Sequence, residues 1–195
     1  MYKTTLFVSV ALATSLALGA GCSVRHEETD SSSADLATAP GLVISQVYAG
    51  GGAKGAPYAV DFVELFNRGA WPVSLEGRVL QYAESNTSFD ATKNVVSLPK
   101  VTLAPGQYFL VQLGQAAAQR EALPEPDLVA ANVKLTDASG QLALIRWGAP
   151  LSDCGTSAKA CGMRHAADIV GYGSVAQDGG AAIGELEAGK AALRK

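Results

Sequence analysis

The sequence predicts an all-β domain, a sandwich or barrel, and three observations carry that prediction. Short apolar, β-branched segments of four to seven residues recur at near-regular spacing from residue 41 onward. Gly, Pro and Asn punctuate them. Only residues 115–123 (QAAAQREAL) are rich in good helix formers, and one short helix among strands does not make a βαβ protein.

The expected strands follow in order. Residues 42–48 (LVISQVY) are apolar and β-branched, stopped by Gly50-Gly51-Gly52. Residues 60–66 (VDFVELF) are closed by Asn67-Arg68-Gly69. There Asn bonds nearby backbone and Gly accepts positive φ. Phe62, Val63, Leu65 and Phe66 point to both faces, so this strand is expected to be central and covered, and Glu64 needs a partner. Residues 72–75 are short, closed by Glu76-Gly77. Residues 78–83 (RVLQYA) alternate, with Val79, Gln81 and Ala83 opposite Leu80 and Tyr82. Residues 94–98 form a further short candidate. Residues 107–113 (QYFLVQL) follow the turn Ala104-Pro105-Gly106, and residues 128–133, 141–146 and 168–172 complete the set.

The N-terminus reads as an address. Lys3 precedes an apolar run over residues 6–20, interrupted by Ser9, Thr14 and Ser15. Fifteen residues suit a signal-peptide core and are short for a membrane span of about 20. Gly19, Ala20, Gly21 and then Cys22 resemble the lipobox of bacterial lipoproteins, which implies cleavage before Cys22 and acylation of that cysteine. Gly19 stands where the lipobox favours Leu, so cleavage by an ordinary signal peptidase after Ala20 or Gly21 is the rival. The lipoprotein resemblance implies two or more acyl chains, enough for stable anchoring. Ser23, not Asp, follows the cysteine, which points to the outer membrane or cell surface. Residues 1–21 are thus assigned to the signal, 22–40 to a disordered tether and 41–195 to the sandwich. The tether is polar, and its His26 reads as a solvated linker residue.

Export leaves about 174 residues, enough for one domain with a real core. Apolar residues are 48% and charged residues 17%, which fits a folded chain. A net charge of −3 gives no electrostatic footprint for nucleic acid.

The strings Asp61-Phe62-Val63-Glu64-Leu65-Phe66-Asn67, Val73-Ser74-Leu75-Glu76-Gly77 with Leu80, and Leu103-Ala104-Pro105-Gly106-Gln107-Tyr108 resemble the lamin tail domain. Residues 133–144 (VKLTDASGQLAL) and 168–173 (DIVGYG) continue the resemblance in order, over about residues 41 to 175. It implies an immunoglobulin-like β-sandwich. In bacteria the family occurs on secreted and surface proteins, sometimes beside nuclease or phosphatase domains, with a role in binding. Two departures stand out. Residues 147–167 insert about 20 residues, including Cys154 and Cys161. The family pattern also continues past the point resembling Ala191-Ala192-Leu193-Arg194-Lys195, into an acidic, Asn-rich segment and a final aromatic strand residue. The chain therefore reads as a candidate fragment or frameshift product with an open edge strand.

The chemistry candidates are few. With Cys22 taken by lipid, Cys154 and Cys161 are left as a pair, and in an exported protein a disulfide is the default. Its eight-residue loop is worth roughly 2.5 kcal/mol by chain entropy, expected to trim a loop rather than hold the fold. The alternative is a metal site from Cys154, Cys161, His165 and Asp153 or Asp168, but the gap is not the usual C-x₂₋₄-C and no second ligand pair follows. Gly50-Gly51-Gly52-Ala53-Lys54-Gly55 formally matches G-x-G-x-x-G. A strand follows it rather than a helix, so it reads as a flexible loop, open to a binding role. A catalytic triad has only His165 on the domain and no G-x-S-x-G elbow. Asp61 and Glu64 fall on opposite faces of a strand and would not converge as paired carboxylates or calcium ligands. Asn86-Thr87-Ser88, a formal glycosylation sequon, reads as an exposed loop. Trp71, Tyr82, Trp147 and Tyr172 read as core or strand-edge aromatics rather than a sugar platform.

The sequence therefore favours a non-enzymatic binding or adhesion module. A lipid would hold it at the membrane, its ligand would be a protein or polysaccharide, and it would take no cofactor, metal or nucleic acid. An accessory domain of an extracellular hydrolase, with the catalytic part outside this chain, is the second reading. A metalloprotein built on the cysteine insertion is the third. Fold analogy alone supports the first two, and fold does not fix function.

Overall fold

In the computed structural model, residues 41–115, 121–175, 183–187 and 189–194 are described. The expected signal peptide, Cys22 and the tether lie outside these residues.

The first sheet is built around β1 (Leu42–Tyr48), β2 (Asp61–Asn67) and β7 (Tyr108–Leu113), all antiparallel, with β2 in the middle as its two-sided apolar pattern requires. Its borders are β11 (Ala192–Leu193) beside β1 and β8 (Leu128–Ala130), parallel to β7. The second sheet runs in the order β10 (Ala166–Tyr172), β9 (Gly140–Ile145), β4 (Val79–Glu84), β5 (Val95–Ser97), all antiparallel. A small pair, β3 (Val73–Ser74) with β6 (Thr102–Leu103), completes the strands among the described residues. The result is an all-β, immunoglobulin-like sandwich.

Two hydrophobic clusters hold it. The larger fills the space between the sheets, with Ile44, Val63, Leu65, Leu80, Phe109, Val111, Leu142, Leu144 and Val170 from their inner faces. The smaller lies on the outer face of the second sheet, where Val79, Ala83, Ala143 and Ile145 pack against Phe89, Cys154 and Cys161. This second layer explains why β9 is buried at every position. Alternation along β4 is present as expected, but both of its faces are covered. On the covered outer face Val79, Ile145 and Phe89 each contribute about 1.5–3 kcal/mol by burial.

Several expectations change. The expected helix over residues 115–123 falls mainly on residues 116–120, which lie outside the described residues; Gln115 and residues 121–123 are not helical, and Glu121 forms an isolated parallel bridge with Tyr58. At the border of β1, β11 pairs with Gln46 and Val47. Gly69 does not adopt a left-handed φ. It is required by close approach, since a Cβ there would lie 3.0 Å from the Gly41 Cα. Asn67 behaves as expected for a turn residue. It is fully buried, accepts from the Gly69 N–H (3.0 Å), and donates to the Trp71 and Leu103 carbonyls (both 2.9 Å).

Candidate functional site

β1 ends and β2 begins at one end of the sandwich, and the glycine-rich segment joins them there. Local bonding, not slackness, shapes that segment. The Ala53 N–H donates to Gly50 (3.1 Å), Ala56 to Ala53 (3.0 Å) and Gly52 to Tyr58 (2.9 Å). Positive φ at Gly50, Gly52 and Gly55 allows these successive turns. The expected flexible loop is therefore a hydrogen-bonded one, and no helix starts from it to receive a pyrophosphate.

Asp61, at the first position of β2, ties this loop to a second one. Its Oδ1 accepts from the Gly51 N–H at 2.7 Å, and its Oδ2 accepts from the Leu135 N–H at 2.8 Å. Burial pushes the Asp61 carboxyl above its ordinary range, against the opposing pull of these N–H groups and of the Lys134 charge. Glu64 turns the other way, its Oε1 accepting from the Ser45 hydroxyl at 2.7 Å. The two carboxylates do not converge, as their spacing requires.

Tyr82 and Tyr172 hold the second loop from below. The Tyr172 hydroxyl donates to the Thr136 carbonyl (2.6 Å), and the Tyr82 oxygen accepts from the Thr136 N–H (3.1 Å). Burial, with Tyr82 alongside, raises the Tyr172 phenol well above its ordinary value. Thr136 closes its own turn onto the Ser139 carbonyl (2.7 Å). Beside the glycine loop, Tyr48 stacks on Phe62 at 5.1 Å, with Tyr58 edge-on to both. The Tyr48 hydroxyl is buried without a hydrogen-bond partner among the described residues.

Above this framework lie two grooves. One, of about 330 Å³, runs between Gly51, Gly52 and Asp61 on one side and Gly114 and Lys134 on the other. The second, of about 380 Å³, lies between Gly50, Glu84 and Asp137. Lys134 lines both and is exposed. Sequence reasoning missed Lys134, because its place depends on Asp61 drawing Leu135 inward from far along the chain.

A family model described as Lamin Tail Domain matches residues 36–149, more than half of the chain. The chain belongs to the lamin tail domain family. No curated protein matches it. The matched span of the lamin tail domain runs from before β1 through β9, so the whole loop end up to Gly140 lies within it. β10 lies beyond the matched residues, yet it pairs with β9 and completes the second sheet.

Both cysteines of the insertion also lie past the matched span. Cys154 and Cys161 are joined in a disulfide with their Cα atoms 5.0 Å apart. It does more than trim a loop, because both cysteines are buried in the outer cluster against Phe89 and Ala143. Phe89 exchanges backbone hydrogen bonds with Cys154 (2.7 Å) and Asp153 (3.0 Å), so two loops form one lid over the sheet. The buried amides of Gln81 and Gln141 bind the lid from beneath. Gln81 bonds Leu151 through both N–H and C=O, and Gln141 donates to Gly155 at 2.6 Å. The bond occupies both sulfurs, His165 is exposed, and Asp168 is paired with Arg194, so these residues do not assemble as the alternative metal site required. Asn86 and Thr87 lie on the lid's margin, with Asn86 in a left-handed turn.

The aromatics divide. Tyr82 and Tyr172 are core residues as expected, but Trp71 is 76% exposed and Trp147 57% exposed. Each tryptophan falls outside a strand, where no pleat directs its side chain inward.

Proposed function

We propose that the chain is a non-catalytic binding module, exported and held at the cell envelope by lipid on Cys22, whose loop end engages a protein or polysaccharide. One observation carries the reading. The buried acid and phenols of the loop end, Asp61, Tyr82 and Tyr172, are all engaged in holding loops, while Lys134 stands exposed between two grooves. A rigid scaffold with its polar groups turned inward and its loops presented above is the arrangement that serves recognition. The apolar run before Cys22 supports export, and the disulfide fits an oxidising compartment.

Two measurements test this. Cys22→Ala is expected to move the full chain from the membrane fraction to the soluble fraction, and unchanged membrane retention contradicts the anchor. Affinity capture from a cell-envelope extract, comparing wild type with Lys134→Glu, is expected to lose the partner in the variant. A partner kept equally by both places binding elsewhere. Hydrolysis of nuclease or phosphatase substrates by the purified chain contradicts the non-catalytic reading.

A further inference from the structure

The opposite end of the second sheet carries a separate cluster. The ladder pairs Val79 of β4 with Ile145 of β9, and Ile145 with Ala166 of β10. One residue beyond these pairs stand Arg78 and Arg146, and the Arg146 N–H donates to the His165 carbonyl at 2.8 Å, next to Arg164. Three adjacent strands thus bring Arg78, Arg146 and Arg164 to one edge of a molecule whose net charge is −3. The acids nearest in sequence are engaged elsewhere, Glu76 with Lys100 and Asp168 with Arg194. Among the described residues, none of the three arginines forms an ion pair with a carboxylate.

Arg78 is fixed in place by its Nε, which donates to the Ser74 carbonyl at 2.7 Å. Arg78 and Arg146 face each other one residue beyond the Val79–Ile145 pair, and burial, and then the charge of Arg146, lower the Arg78 guanidinium from its ordinary value. An anion bridging them relieves that repulsion, and a planar guanidinium fork matches a carboxylate. Trp147 lies alongside: the Arg146 guanidinium carbon is 5.9 Å from its ring centroid, and 57% of the residue is exposed. A flat, partly wet indole offers a stacking surface to a ring of mixed polarity. The cluster is short and the rest of the chain is acidic, which disfavours a long phosphate ladder.

We propose that Arg78, Arg146 and Trp147 form a binding site for an acidic polysaccharide. The two guanidiniums take a uronate carboxylate, and the indole of Trp147 takes a sugar ring. This site is distinct from the loop end, since β4 runs from Val79 beside this cluster to Glu84 at the grooves.

The test is titration of the purified full chain with polygalacturonate, with neutral dextran and a single-stranded oligodeoxynucleotide as comparisons. Polygalacturonate is expected to bind and dextran not to. Arg146→Gln and Trp147→Ala are each expected to weaken binding about tenfold or more, and Arg146→Lys by less than Arg146→Gln. Trp147→Ala removes an exposed side chain outside both cores, so it reads the site even where an arginine variant folds poorly. Equal binding of dextran, or wild-type binding by both Arg146→Gln and Trp147→Ala, overturns the proposal. So does tighter binding of the oligodeoxynucleotide than of polygalacturonate.

Discussion

Arg194 closes on Asp168 with Nη2 reaching both carboxylate oxygens, at 2.8 and 2.7 Å. Between them they also satisfy Ile44, whose N–H donates to Asp168 Oδ2 (2.9 Å) and whose carbonyl accepts from Arg194 Nε (3.0 Å). Ile44 lies at the register shift of β1, past the two residues that β11 covers. The pair therefore joins β10 of one sheet to β1 of the other and supplies hydrogen bonds that no strand supplies there.

Arg194→Ala is expected to lower stability by about 2 kcal/mol, since it removes charge-assisted hydrogen bonds to a buried carboxylate. Asp168→Ala strips the same bonds and the partner of the Ile44 N–H. The double variant is expected to lose less than the sum of the singles in urea unfolding, and strict additivity would mean that the pair is not coupled.

Asp61 sets a pH dependence with a definite sign. Its carboxyl is raised in the folded state, so the native protein holds this proton more tightly than the unfolded chain. The stability it contributes is complete below the unfolded carboxylate value and drains away as pH rises through the folded value. Asp61→Asn lacks that loss, so wild type is expected to lose stability relative to the variant as pH rises through this window. Movement in the other direction would show that the Gly51 and Leu135 hydrogen bonds outweigh burial.

Breaking the disulfide through Cys161→Ser is expected to cost roughly 2.5 kcal/mol from the eight-residue loop alone. Because both cysteines pack in the outer cluster, amide exchange is expected to accelerate around Phe89 and Leu151 while β2 and β7 stay protected. Uniform acceleration across the domain is the result that contradicts a local lid.

Gln81→Leu fills nearly the same space but leaves the Leu151 N–H and C=O and the Asp90 carbonyl without their side-chain partner. A loss of about 2–3 kcal/mol is expected in thermal or urea unfolding. A neutral result would show that the lid rebonds on its own.

Tyr48→Phe removes a buried hydroxyl with no partner among the described residues and keeps the stack on Phe62. The variant is expected to equal or exceed wild type in stability, by up to about 1 kcal/mol. A clear loss would reveal a bond to that hydroxyl.

Much of this architecture is written locally. LVISQVY and VDFVELF announce β1 and β2 through apolar and β-branched content, RVLQYA announces β4 through its alternation, and Asn67 announces its turn, because strand preference, pleat and turn depend on neighbouring residues. The same spacing separates Asp61 from Glu64, and the pairing of Cys154 with Cys161 follows from their being the two cysteines left on the domain. The two-residue strands β6 and β11 escape such a reading, since pairing alone defines them.

By itself, then, the sequence determined the all-β class, the main strands, the separation of the two carboxylates and the cysteine pair. Tertiary structure decided that Leu135 and Gly51 share Asp61, and that the cysteine loop covers a second apolar face. It also left Trp71 and Trp147 exposed and put Arg194 on Asp168. Local pattern says which residues want burial or a turn. It does not say which distant backbone a buried polar group will satisfy, because chain closure across the two sheets makes that choice.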